Sequence, residues 1–143
     1  MSTGNKIRPI VIGVITNDDK LFVFEGRDEV KDETFYRPIG GAIEFSERGE
    51  AAVRREYLEE INAELINIEY LTTLENIFTF EGRPYHEIVL VYNARFQDKS
   101  FYGDREFTGH EDNGIPFKCL WIPLRKFKDN ELILYPDGLL NIL

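Results

Sequence analysis

Residues 40–63 read GGAIEFSERGEAAVRREYLEEINA: two glycines, then a helical pattern that gathers Glu56, Glu59 and Glu60 within five residues. No other stretch constrains the chain as much, because like charges four apart on a helix, here Glu56 and Glu60, repel each other. At about 100° per residue, Val53, Tyr57, Ile61, Leu58 and Ala51 share one broad arc, the expected packing face against a sheet. Arg55, Glu56, Glu59 and Glu60 fall on the opposite arc with only Ala52 among them, so the three carboxylates are expected to converge a few ångströms off the helix. An ordinary solvated face accounts for Arg55 and Glu59, an attractive i,i+4 pair. It does not account for Glu56 and Glu60, where a surface helix usually alternates Glu with Lys. A hard divalent cation turns that repulsion into attraction, since Mg²⁺ takes oxygen ligands from one or two carboxylates together with substrate phosphates. The glycines fit the same account. Lacking a Cβ, Gly40 and Gly41 let backbone approach the helix and bring a carbonyl among the candidate ligands.

The flanking sequence predicts a sheet. IRPIVIGVITNDDKLFVFEGR reads as β-rich runs over about 7–15 and 20–26, joined at the turn cluster NDD. FYRPIGG is a short extended piece that stops at the glycines, and the helical rhythm covers about 48–61. ELINIEYLTTLENIFTFEGRPYHEIVLVYNARF predicts long strands around the turn EGRP. Val89 and Val91 alternate there with Ile88, Leu90 and Tyr92, which predicts burial on both faces. Residues 97–116 are polar, carry three glycines and predict the longest loop. FKCLWIPL predicts another strand, RKFKDNE a connector or helical turn, and PDGLLNIL a final short helix with Pro136 near its start. This order predicts an α+β fold, a mixed sheet flanked by helices, with residues 1–143 forming one domain.

Charge limits the partners. The net charge is −9, which disfavours anionic membranes and non-specific nucleic acid binding, since both rest on Lys and Arg meeting phosphates. An acidic protein still handles an anionic small molecule when a cation bridges the two. No apolar run approaches the roughly 20 residues needed to span a bilayer, and MSTGNKIRPI lacks the pattern of a secretory signal. The single cysteine, Cys119, lies among apolar residues and is expected to pack, which suggests a reducing, cytoplasmic setting.

Gly41, Glu47, Arg55, Glu56, Glu59 and Glu60 stand at six fixed positions of the box that identifies the Nudix hydrolases, and the chain resembles that family there. Chance would give six such matches on the order of one time in ten thousand. The departures are Tyr57 for an aliphatic residue, Asn62 for the closing glycine, Ala63 for a final aliphatic, and Arg48 where a Thr or Ser often caps the helix. Asn is the next-best left-handed cap after Gly, and Ser46 is the expected N-terminal capping side chain. The resemblance implies an α/β/α sandwich and a hydrolase that cleaves a nucleoside diphosphate linked to another moiety. It implies metal binding by Glu56, Glu59 and Glu60 with the Gly40 carbonyl as a further ligand, and support from Glu47 and Arg55.

The expected chemistry is attack of water on a diphosphate phosphorus with Mg²⁺, or Mn²⁺, as cofactor. Glu60 and Glu59 are expected to serve the metal and the water. The general base is sought among Glu106, Glu111 and Asp112 in the long loop, with Glu111 put first. Arg27 and Arg37 are candidates for a phosphate or ribose, and Phe35, Tyr36 and Phe78 for stacking on a base, with core packing the better expectation for Phe78. His86 is expected to serve the sheet and His110 the loop surface; no second His follows His86 at zinc-site spacing. Two other readings stay open: a related fold that binds a nucleotide without cleaving it, and an acidic module docking a basic partner. The substrate is not legible, nor is the oligomeric state, a homodimer being one option.

Overall fold

The computed structural model describes residues 5–143. The elements in chain order are β1 (Ile7–Val14), β2 (Thr16–Asn17), β3 (Lys20–Asp28), β4 (Glu33–Arg37), β5 (Gly40–Ala42), α1 (Gly49–Ile61), β6 (Leu65–Phe80), β7 (Arg83–Phe96), β8 (Phe107–His110), β9 (Pro116–Pro123) and α2 (Leu124–Lys128). β1 carries apolar side chains on both faces, and that decides the architecture. Ile10, Ile12 and Val14 enter one buried cluster while Val11 and the following Ile15 enter the other, so the strand lies between two apolar layers.

One sheet runs in the order β5-β1-β7-β6. β1 and β7 are parallel, whereas β5 on β1 and β6 on β7 are antiparallel. The other sheet runs β2-β3-β9-β8, with β4 also on β3. Phe24 is in register with both Arg37 of β4 and Cys119 of β9, so those strands take opposite edges of β3. On one side α1 lays Ala52, Val53 and Tyr57 against Val11, Phe22, Leu65 and Phe96. On the other, Phe127 of α2 joins Leu134 and Leu139 over Ile12, Val23, Val89 and Val91. The fold is α+β with helical segments on both sides of mixed sheet, as expected. Among the described residues no helix is long and apolar enough to cross a membrane.

Four local expectations are corrected. Residues 97–116 are not one loop: they hold a 3₁₀ turn at Lys99–Tyr102 and all of β8. Phe107 and Gly109 face inward there, and a strand with only two inward positions shows little period. On β7 the odd-numbered face (Glu87, Val89, Val91) is buried, while Ile88, Leu90 and Tyr92 are only half-buried. The C-terminal segment forms a 3₁₀ turn at Leu140–Ile142 instead of a helix. On α1 the buried seam is Ala52, Val53, Glu56 and Tyr57, with Leu58 exposed, so the packing arc is rotated toward the glutamates.

Candidate active site

Tyr57 anchors the helix. It is fully buried, and its hydroxyl donates to the Gly13 carbonyl at 2.7 Å, satisfying the one polar atom a Tyr brings into a core. A Cβ on Gly13 would overlap that ring. Asn62 closes the helix in the left-handed conformation at φ 55°, its N–H donating to Leu58 O and that of Ala63 to Tyr57 O. At the other end the structure departs from expectation. Arg48 stands at the N-cap with no side-chain cap bond, and Ser46 is held at φ 69° in the preceding loop.

The glycine pair packs backbone against this helix. Both glycines lie on β5, paired with Ile12 and Val11 of β1. A Cβ on Gly41 would occupy the space of the Glu56 carboxylate, and one on Gly40 would strike the Val11 carbonyl. Only glycine lets Glu56, 8% exposed, lie flat on the strand.

Arg55 uses all five of its donors. Nε and Nη2 clasp Glu47 at 2.8 and 2.9 Å, Nη1 donates to Glu56 at 2.6 Å and to Glu59 at 2.8 Å, and Nη2 also reaches the Ala42 carbonyl at 3.0 Å. The guanidinium holds the Glu47 carboxyl below its ordinary range, helped by a backbone hydrogen bond at Glu44. The Glu47–Arg55 pair ties the loop before α1 to the helix.

The three glutamates do not converge as one set. Glu59 is exposed and turned to Arg55, and among the described residues no three His, Cys, Asp or Glu side chains close on one point. Glu56 and Glu60 do meet. Burial, a hydrogen bond with Glu56, and the charges of Glu56, Asp112 and Glu111 push the Glu60 carboxyl up to about 10. Glu111 and Asp112 sit on the tight β8–β9 connection, where Glu111 N–H donates to the Ile115 carbonyl at 3.0 Å. Gly109 permits the approach: a Cβ there would press on Phe117 and Ile61. Glu106 pairs instead with Lys118 at 3.8 Å.

Gly40, Glu60 and Glu111 form one wall of a cavity of about 960 Å³. Both candidate arginines line it. Arg37 is half-buried, with Glu87 at 3.9 Å; loss of solvent lowers its pKa, and the charges of Glu87 and Glu60 oppose that. Arg27 is more exposed and is held by Asp32, Glu29 and Thr34 on its own hairpin. Phe35 and Phe78 also line the cavity, so Phe78 is a wall residue and not core; Tyr36 does not line it and donates to Glu25 at 3.0 Å. Sequence reasoning missed Glu87, Asn76, Phe80, Tyr85 and Tyr135 on the same walls. One signal was available for Glu87: it shares parity with Val89 and Val91, so a charge there had to fall on the buried face of β7.

The donor set fits a hard divalent cation. Its atoms are all oxygen, Glu60 is pressed against Glu56 and has no cation within salt-bridge distance among the described residues, and Gly41 leaves the strand side free of a Cβ.

Comparison with known proteins bears on the fold and the family. A NUDIX hydrolase from Nitrosomonas europaea is similar in structure, with a TM-score of 0.68 at 18% identity over 96% of this chain and 86% of that one. A MutT NUDIX hydrolase from Burkholderia pseudomallei has a TM-score of 0.56 at 20% identity over 84% and 85%. An ADP compounds hydrolase has a TM-score of 0.59 at 20% identity over 88% of this chain and 62% of that one. At these identities the likeness speaks for the fold. The family model for the NUDIX domain matches residues 6–136, and the chain belongs to that family.

Proposed function

We propose that this protein hydrolyses the diphosphate linkage of a nucleoside diphosphate derivative, by attack of water at phosphorus and with Mg²⁺ or Mn²⁺ as cofactor. The observation that carries the proposal is Glu60, in contact with Glu56, on the wall of a cavity that also holds the half-buried cation Arg37. Glu56, Glu60 and the Gly40 backbone are the groups that would hold the ion, and Glu59 would join them only by leaving Arg55. A bound divalent ion supplies positive charge to the phosphoryl oxygens and makes the attacking water more acidic. Glu47 and Arg55 keep Glu56 in place, the arginine by one of the five hydrogen bonds it makes. Glu111, on the hairpin whose charge Glu60 feels, takes the proton from the water. Arg37 orients the diphosphate. The solved neighbours are named as hydrolases, one of them of ADP compounds, which supports the same class. The lone thiol, Cys119, is buried and unpaired, in keeping with a cytoplasmic protein.

The test is a panel of nucleoside diphosphate derivatives, with Mg²⁺, Mn²⁺ or EDTA, in which products are resolved by the bond that breaks. Cation-dependent release of a nucleoside monophosphate from at least one compound is the expected result. Binding of the same compounds without any product would instead favour a non-cleaving nucleotide-binding protein.

A further inference from the structure

The cavity holds an acidic group that the hydrolysis does not use. Glu87 is 5% exposed and lines the cavity, and its Oε1 is the one buried side-chain polar atom without a hydrogen-bond partner among the described residues. Arg37 and Arg8 stand at 3.9 and 3.8 Å, near enough to stabilise the charge and too far to hydrogen-bond it. A buried carboxylate oxygen left in this state costs free energy unless a donor arrives. Across the β6–β7 ladder, in register with Glu87, lies Asn76, also 5% exposed and also on the cavity wall.

What donor belongs there follows from the order of groups along the wall. Arg37 and Glu60 line the same cavity, and Arg37 stands 3.9 Å from Glu87, so Glu87 adjoins the cationic end of the cavity, where phosphates would lie. One step further along the same face, about 6.6–6.8 Å on a strand, come Phe78 and Tyr85, also in register, their rings stacked at 5.3 Å and 10°. Phe80 follows, with Phe35 edge-on at 6.0 Å. Anion site, then an acceptor-rich pair, then flat rings is the order of phosphate, ribose and base in a nucleotide. A carboxylate repels phosphate but accepts from a sugar hydroxyl, and an acid on a ribose hydroxyl is a recurrent way to recognise one.

We propose that Glu87 and Asn76 form a ribose-reading site, so that the protein takes ribonucleoside diphosphate compounds in preference to their 2′-deoxy counterparts. This rests on the function proposed above but is tested by binding alone, so that it can fail while hydrolysis stands, or stand while hydrolysis fails. The probes are ADP, GDP, CDP and UDP, each with its 2′-deoxy form, titrated calorimetrically in Mg²⁺. The tightest ribonucleotide is expected to lose about 10- to 100-fold in affinity on removal of the 2′-hydroxyl, the worth of a hydrogen bond to a charged group. Glu87→Ala is expected to bring the ratio close to one, and Glu87→Gln, which keeps an acceptor, to leave part of it. Equal affinity of ribo and deoxy forms in the wild type, or no binding by any of the four, overturns the proposal, and this arm needs no variant to fold. A Glu87→Ala protein that binds both forms more weakly by the same factor also overturns it, returning Glu87 to neutralising Arg8 and Arg37.

Discussion

The helix face and the cavity wall opposite it are built in contrasting ways. Residues 47–60 supply Glu47, Arg55, Glu56, Glu59 and Glu60 from one loop and one helix, and Arg55 satisfies its neighbours so fully that no donor is left over. The wall draws on β3, β4, β6, β7 and the C-terminal segment, and it leaves Glu87 without a hydrogen bond on Oε1. The donors of the helix face are thus all used within it, while the wall keeps an acceptor that nothing among the described residues meets. Reaction chemistry needs a fixed cluster of charges, which a single helix provides. Recognition needs a shaped space, which only the register of several strands provides.

The strongest way to break this contrast is Glu60→Gln. It removes one charge of the carboxyl pair with little change in volume, and turnover is expected to fall by about 10²–10⁴-fold with the fold retained. Steady-state rates beside circular dichroism check it, and wild-type turnover in saturating substrate and Mg²⁺ would take Glu60 out of the reaction. Arg55→Ala comes next. It strands Glu47 and Glu56 without their guanidinium, and unfolding by urea is expected to show a loss of about 2–4 kcal/mol, at the lower end because Arg55 is partly solvated. A loss below about 1 kcal/mol would mean that the loop and helix are held together by packing alone.

Phe78→Ala probes the other region. It removes one ring of the Phe78–Tyr85 stack from the wall and touches none of the acids. KM is expected to rise about 3- to 10-fold with kcat nearly unchanged, the worth of an aromatic contact. A fall in kcat without a change in KM would show that the wall and the helix face are not separable.

The same contrast explains what the sequence made legible. Helix spacing is local, so the acids and their supporting arginine could be placed from residues 41–60 by period and by resemblance. The wheel still misjudged the buried seam, because Glu56 and not Leu58 is pressed toward β5, and Gly41 is what permits it. The two long strands around the turn at Glu81 were readable from composition. Which of their side chains meet was not, since Asn76 lies opposite Glu87 only through a ladder with two register irregularities. β8 escaped for a related reason: a four-residue strand with Gly109 at an inward position has almost no pattern to read.

One further effect reports on the carboxyl pair without any substrate. In EDTA the folded protein is expected to keep the Glu60 proton up to about 10, whereas the unfolded chain releases it near the ordinary carboxyl value of 4.5. Between those values the folded state binds more protons than the unfolded one, so this pair makes stability fall as pH rises. Thermal scans of the wild type, each measured against Glu60→Gln at the same pH, are expected to show the difference moving steadily against the wild type as pH rises across that interval. Excess Mg²⁺ binds the deprotonated pair and opposes the trend, more so at higher pH. A wild-type advantage that grows with pH in EDTA would mean that Glu56 and Glu60 are not pressed together, and that nothing on the helix face waits for a cation.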